Sequence, residues 1–434
     1  MPTLIYNVTD LQNIQNDLAG EYELANDIDA SETATWNPTT DRGAWQPSTA
    51  YNVHDYVRAE EFGTEWDFIC IQAHTSGSSF SSINWARVYY KPSHVGFIPI
   101  GGKEKIWPNW FEESLDGKGF RIINLYVTRP YGYAGLFRSL ANGADIRNLQ
   151  MVNPTITGWD NVGTLAGISQ DSDISDVHIS GTSVKGSDWA GGFAGQLYLD
   201  RVARCSVTGT FEFSDAAYQY TVGGFVGYNH GILDECWANV DVTTFDDPAT
   251  EEIGGFVGLN TNVIRNCYAR GNVIGHHQVG GFVGYHRYED GLLENCYSTG
   301  LVTGVTSAGG FCGDFEDTEA SITACFWDTQ TSGLTTSDGG TGKTTAEMKQ
   351  IATFSAWDIA TSPVPRNDGY PFLSWEIGSS PIWLLSGDSP RKTVPILDII
   401  TLEAIRNIEM SAMGRFWVDE EGKAHWDSRY ARSP

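Results

Sequence analysis

Basic residues are scarce in this chain. Its 434 residues include 27 Lys and Arg against 54 Asp and Glu, a formal net charge of −27. Such a surface repels phosphate backbones and anionic lipid, so no nucleic acid partner is expected. Long apolar runs are also missing. No stretch approaches the roughly 18 residues of a membrane-spanning helix, so no membrane insertion is expected. Helical periodicity is nearly absent outside the far C-terminus. The opening residues MPTLIYNVTDLQ have neither a basic region nor an apolar signal core. The expectation is a trimmed chain, or one released without a leader, as virion proteins are on lysis. Paired cysteines are not expected either. The seven cysteines are an odd number, and five form one internal series in which Leu and Val stand elsewhere.

What the chain does have is a period. Cys205, Cys236, Cys267, Cys296 and Cys325 follow one another at intervals of 31, 31, 29 and 29 residues. Val177, Leu149 and Leu125 extend the series upstream. Three residues before each slot stands another apolar residue: Ile122, Ile146, Ile174, Val202, Leu233, Ile264, Leu293 and Ile322. A slot that accepts Leu, Val or Cys is a packing slot, where free Cys acts as a small hydrophobe. A second landmark lies between slots: GGFAG at 191–195, GGFVG at 223–227, 254–258 and 280–284, and GGFCG at 309–313. A worn copy, GTLAG, occupies 163–167. Coils in register would stack Phe193, Phe225, Phe256, Phe282 and Phe311. The paired glycines mark corners or close backbone approaches. Gly255 recurs in every unit and Gly271 less strictly, so Gly271 is expected to tolerate a side chain better.

Units of this length cannot bury a face alone and must stack. The expected fold is all-β: a parallel β-solenoid (β-helix) with a small β insert domain and a short α+β C-terminal element. Eight coils from Leu125 to Cys325 would make a column of roughly 40 Å at the strand spacing of about 4.8 Å.

The GG-F-x-G landmark, with Asn266-Cys267-Tyr268 and Asn295-Cys296-Tyr297, resembles the GLUG repeat of secreted bacterial adhesins, surface proteases and phage tail proteins. DGKGFRIINLYV at 116–127 looks like the first coil of that family, and FWDTQTSG (326–333), TAEMKQ (345–350) and DGYPFLSW (368–375) look like its exit. The resemblance covers about residues 1–35 and 93–376 and implies a scaffold rather than a chemistry. The domains expected are a solenoid opening at 1–37, an insert at 38–92, the solenoid at 93–327, an exit cap at 328–376 and a C-terminal docking element at 377–434.

The insert is rich in rings: Trp45, Tyr51, Tyr56, Trp66, Phe68, Trp85, Tyr89 and Tyr90. Trp45, Tyr51 and Ala73-His74-Thr75-Ser76 resemble small chitin-binding-type carbohydrate modules, although His54 stands where those modules have Gly. The resemblance implies sugar binding by exposed rings, with Trp45, Tyr51 and Trp66 the carbohydrate-binding candidates and Trp85 a core residue. Sugars dock flat C–H faces on aromatic planes. A module this small also needs rings for its own core, so a purely structural insert is the competing reading.

Other chemistry is less supported. GGTGKTT at 339–345 fails as a phosphate loop because Ser337 stands where Gly is required. The neighbouring His276 and His277 would point to opposite faces of a strand, so a metal site is not expected. Cys70 with His54 or His74 could form a nucleophile pair, but Cys70 alternates with Phe68 as a core residue would. Carboxylate pairs can hydrolyse polysaccharides, and Asp241, Asp246, Asp247, Glu251, Glu252, Glu289 and Asp290 are candidates among which nothing singles out a pair. No catalytic residue and no cofactor is assigned.

At the C-terminus, Thr401–Met413 reads as an amphipathic helix, and 414–430 as two strands about Glu420-Glu421-Gly422. That segment is similar to parts of phage tail proteins. The reading is a non-enzymatic, surface-displayed adhesion or receptor-binding component of a phage tail, with glycan binding by its insert. Its partners would be a cell-surface glycan or receptor and, through the C-terminal element, other tail or surface proteins. The alternatives are a secreted bacterial adhesin and a polysaccharide depolymerase. The location is a virion tail or the cell exterior.

Overall fold

The computed structural model describes residues 1–88, 90–101, 109–213, 221–244, 252–287, 291–316, 321–355, 357–360 and 367–377, with the strands 414–418 and 424–428. The chain divides into two compact units, Met1–Trp357 and Asp358–Pro434.

The first unit is a parallel β-solenoid of about seven turns. Every coil-to-coil pairing is parallel and nearly in register, as in Leu149↔Val177 and Cys267↔Cys296. Cys205, Cys236, Cys267 and Cys296 are fully buried, Cys325 is buried, and all are free thiols. Their sulfurs donate back along the chain, Cys267 Sγ to the Arg265 carbonyl at 2.9 Å among them. The landmark phenylalanines stack, with centroids 4.5 to 4.9 Å apart and planes within 19°. That separation is the coil spacing of about 4.8 Å. It exceeds the carbon–carbon contact distance of about 3.5 Å, so the rings must be offset or inclined, the arrangement their quadrupoles favour. Trp237, Tyr268 and Tyr297 form a second stack, at 5.7 and 4.9 Å.

The corner before each packing slot is left-handed. Asn148, Asp176, Arg204, Glu235, Asn266, Asn295 and Ala324 all have φ between 50° and 55°. Asn and Asp accept this conformation most readily. Several of these side chains also tie coils together. Asn266 Nδ2 donates to Asp234 at 2.9 Å, Asn295 Nδ2 to Asn266 at 3.2 Å, and Arg204 pairs with Asp176 at 2.8 Å. At another corner a fully buried polar ladder runs from Asn229 to Asn260 at 2.7 Å and on to His286 at 3.1 Å.

The register of the first coil differs from the expectation. Leu115 pairs with Ile146, whereas Ile122 pairs with Met151, so Ile122 and Leu125 do not continue the slot series. The turn Asp116-Gly117-Lys118-Gly119 separates Leu115 from Ile122 and Leu125. Leu115, before the turn, takes the position opposite Ile146, and Gly117 packs against the Leu149 backbone where a slot residue would stand. The series therefore begins at Leu149.

Both ends of the core are covered. Val8–Asn13 is helical, capped by the Asn7 side chain on the Asp10 amide at 2.9 Å, and it buries Val8 and Leu11. At the other end Thr345–Met348 carries a Thr344/Glu347 capping box, and Phe354 and Trp357 pack on Tyr297 and Phe326. In the second unit Ile359–Ala360 pairs antiparallel with Phe372–Leu373, and Gly414–Val418 with Ala424–Ser428. The helix expected at Thr401–Met413 lies outside the described residues.

Candidate functional site

The insert leaves and rejoins the solenoid at one place. Pro38 bridges His94, Val95 N donates to Asn37 O at 3.0 Å, and Asn37 Nδ2 donates to Gly96 O at 2.7 Å. Its sheet comprises Thr40–Ala44, Asp55–Glu61, Thr64–Cys70 and Trp85–Val88. One face builds the module's own core from Tyr51, Val57, Ala59, Phe68, Cys70 and Trp85. The other buries Tyr56, Ile69, Ile71 and Val88 with Val95, Ile98 and Tyr131 of the solenoid.

The ring candidates separate on this sheet. Tyr51 is only 2% exposed, lies edge-on to Trp85 at 5.0 Å, and its hydroxyl accepts from Gln46 N at 2.7 Å. It is a core residue, not an exposed platform. The early Tyr of the module pattern is spent on closing the small core. Trp45 is half-buried, edge-on to Phe80 at 5.8 Å. Trp66 is also half-buried, with the Arg87 guanidinium 4.0 Å from its centroid. Trp85 is 4% exposed. Cys70 Sγ does approach His74 Nδ1, at 3.7 Å, but the thiol is fully buried and donates to Gln72 O.

A second candidate lies on the solenoid itself. A short six-stranded sheet, Asp160–Val162 through Thr306–Gly309, leans against the last glycine of each landmark. A Cβ at Gly167, Gly195, Gly227 or Gly258 would meet the carbonyl oxygen of Asn161, Trp189, Thr221 or Glu252 respectively. Glycine at these buried positions thus lets the two sheets meet backbone to backbone at the bottom of a crease that runs along the axis. One bank carries Asp160, Asp188, Trp189 and Glu252; the other carries Gln196, Tyr198, Tyr228 and Tyr285. Side chains bridge the banks: Gln196 Nε2 donates to Asn161 Oδ1 at 2.5 Å and Gln278 Nε2 to Asp314 Oδ2 at 2.6 Å. Arg138 stands in register with Gly167, so a guanidinium closes the first coil's end of the crease, 5.5 Å from the Tyr133 centroid.

Asp160 and Asp188 are strand neighbours in register. Burial raises the Asp160 carboxyl to about 7, helped by the charge of Asp188. Burial raises Asp188 to about 6, against hydrogen bonds from the Trp189 and Thr221 amides. Beside them the rings of Tyr198 and Tyr228 meet at 5.2 Å, and Trp189 is 38% exposed. Of the acids weighed from sequence, Glu252 accepts from Thr221 Oγ1 at 2.6 Å and Asp241 from the Asn272 amide at 2.9 Å. Asp246, Asp247, Glu251, Glu289 and Asp290 lie outside the described residues. The acid pair was missed, yet a signal exists. Asp160 and Asp188 each stand three residues before a landmark glycine, Gly163 and Gly191. Among the described residues no cluster of metal ligands forms.

A family model, the GLUG motif, matches residues 249–274 and 275–303. The chain carries GLUG repeats. In the structure these are the coils holding Phe256 and Cys267, then Phe282 and Cys296. The chain is 39% identical over 106 residues to a halomucin of Haloquadratum walsbyi. It is 32% identical over 121 residues to an immunoglobulin A1 protease of Streptococcus pneumoniae. These matches span 24% and 27% of this chain, but only 1% and 6% of those proteins. Among solved structures, a candidate immunoglobulin A1 protease from Bacteroides ovatus superposes with a TM-score of 0.51 at 18% identity, over 86% of this chain and 92% of that one. An IgA1 protease superposes at 0.50, over 93% of this chain and 27% of that one. The structural likeness extends the solenoid fold well beyond the matched GLUG repeats.

Proposed function

We propose that this chain is an adhesion segment of a surface-displayed or secreted protein and that its solenoid crease binds an extended glycan. The observation that supports this most directly is the ring pair Tyr198 and Tyr228, centroids 5.2 Å apart, on the bank facing the partly exposed Trp189. Rings offer sugar C–H faces large contact area at low entropic cost, and carboxyl and amide groups on the banks can bind hydroxyls. The named relatives, a halomucin and an immunoglobulin A1 protease, favour display at a cell surface or secretion over a virion tail. The insert adds Trp45 and Trp66 as a second, smaller platform. The test is a glycan array with the whole chain. Binding to polysaccharide that Trp189→Ala and Tyr228→Ala weaken, without loss of the β-sheet circular dichroism, is the expected result. Binding unaffected by both, or none at all, refutes the crease.

One observation favours a hydrolytic reading as well. Asp160 and Asp188, raised to about 7 and about 6, provide a proton donor and a carboxylate side by side near neutral pH. They sit on neighbouring strands about 4.8 Å apart, a backbone spacing compatible with the carboxyl separation of roughly 5–5.5 Å in retaining glycosidases. Release of reducing ends from a bound polysaccharide, lost in Asp188→Asn, would establish it. Binding without release leaves adhesion.

A further inference from the structure

The junction between insert and solenoid contains a charge that no acid among the described residues balances. Arg129 is only 2% exposed, among the largest fully buried side chains of the molecule. Its guanidinium lies over the Tyr131 ring, 4.7 Å from the centroid. Its Nε and Nη1 are buried with no hydrogen-bond acceptor. Among the described residues Arg129 forms no ion pair, although the chain has 54 acids. The hydroxyls of Tyr56 and Tyr90 and the Thr128 Oγ1 are also buried without partners. Three chain segments supply these groups: the insert strand Asp55–Glu61, the return segment at Tyr90, and the solenoid residues 128–131.

Among the described residues, no group that senses this charge supplies a negative one. The groups that sense the Arg129 charge are His54, Tyr56, Tyr90 and Arg138. Burial drives the phenols of Tyr56 and Tyr90 upward, so neither becomes a phenolate at neutral pH. Burial pulls His54 down to about 4, so it stays neutral. Burial and then the neighbouring Arg129 lower Arg138 to about 10, which leaves it a second cation. A buried guanidinium with unsatisfied N–H groups is among the most expensive arrangements a fold can hold.

We propose that this junction binds a small inorganic anion of the halide class, held by Arg129 Nε and Nη1 and by the Tyr56 and Tyr90 hydroxyls. The guanidinium can only donate, the two hydroxyls can donate beside it, and all are enclosed, which suits a monatomic anion. A sugar acid would not fit among atoms without solvent contact. The ion would neutralise Arg129 and join the insert to the solenoid, since its ligands come from both. This site is independent of glycan binding in the crease.

The experiment is thermal unfolding of the whole chain at constant ionic strength, with sodium gluconate replaced stepwise by sodium chloride, and by sodium sulfate in a separate arm. A bound ion stabilises by mass action, so the wild-type melting temperature should rise with chloride. Arg129→Met removes the charge that needs the ion, and its melting temperature should not depend on chloride. Tyr56→Phe deletes one donor and should raise the chloride midpoint about tenfold, as loss of a hydrogen bond to a charged group does. Should Arg129→Met fail to fold, Tyr56→Phe and the broadening of the chloride-35 resonance by wild-type protein decide the question. Equal melting temperatures in chloride and gluconate, without broadening, overturn the proposal. So does stabilisation by sulfate alone, which would make the ligand an oxyanion, and so does an unchanged chloride response in Tyr56→Phe.

Discussion

At the corner before each packing slot the chain turns left-handed, and not every residue there suits the turn. Ala324 holds a φ of 50°, is exposed, and has no side-chain hydrogen bond to offset the strain. Ala324→Asn should stabilise by about 0.5–1 kcal/mol, read from urea denaturation, because Asn visits this region readily. The cysteines one position later behave as core. Burial pushes the Cys267 thiol up to about 11. Native protein at pH 7.5 should resist iodoacetamide at all five ladder cysteines, while protein in urea labels throughout. Cys267→Ala should cost about 1–3 kcal/mol through its cavity, and Cys267→Val less. The raised acids give a pH signature. Asp160, Asp188 and Asp200 keep their protons to about 7, 6 and 7 in the folded chain. The unfolded value is about 3.9. Between about pH 4 and pH 7 the folded state therefore binds more protons, and stability falls as pH rises through that window. Asp160→Asn with Asp188→Asn should flatten the fall and stabilise at pH 7.5 by on the order of 1–3 kcal/mol. Urea titrations at pH 5 and pH 7.5 measure it.

Elements pack here by backbone on backbone, and that is where counting repeats misleads. Gly255 lies over the Gly281 carbonyl, as its recurrence suggested. Gly271, which recurs less strictly, is enclosed at least as tightly. A Cβ there would fall on the Val240 carbonyl, and one on Gly300 would fall on the Gly271 carbonyl. The expectation that Gly271 tolerates a side chain is therefore overturned. Gly271→Ala should destabilise by about 3 kcal/mol or more, with a matching loss of melting temperature. The stacked positions were legible because one residue per coil reports directly on its environment. Phe225 and Cys236 needed only their spacing. Gly271, Tyr51 and Asp160 were not legible in that way. Each depends on what another strand brings against it: a neighbouring coil's carbonyl, a module's small core, or the opposite bank of a crease.

For the molecule as a whole, the insert matters most through its second face. Its two junctions touch, so removing residues 39–93 leaves a gap that a short linker can close. The solenoid should keep its β-sheet circular dichroism. It should also lose melting temperature, because Tyr131 and Ile98 would lose the cover of Tyr56 and Val88. The parallel pairing of coils has a further, mechanical consequence. Hydrogen bonds between coils run along the long axis, so tension on that axis loads one ring of them at a time instead of all together. A coil of 29 to 31 residues, once peeled away, pays out about 100 Å of slack. On the adhesion reading proposed above, a cell held through this chain under flow would meet a yielding, stepwise extensible leash whose reach grows severalfold before the connection parts.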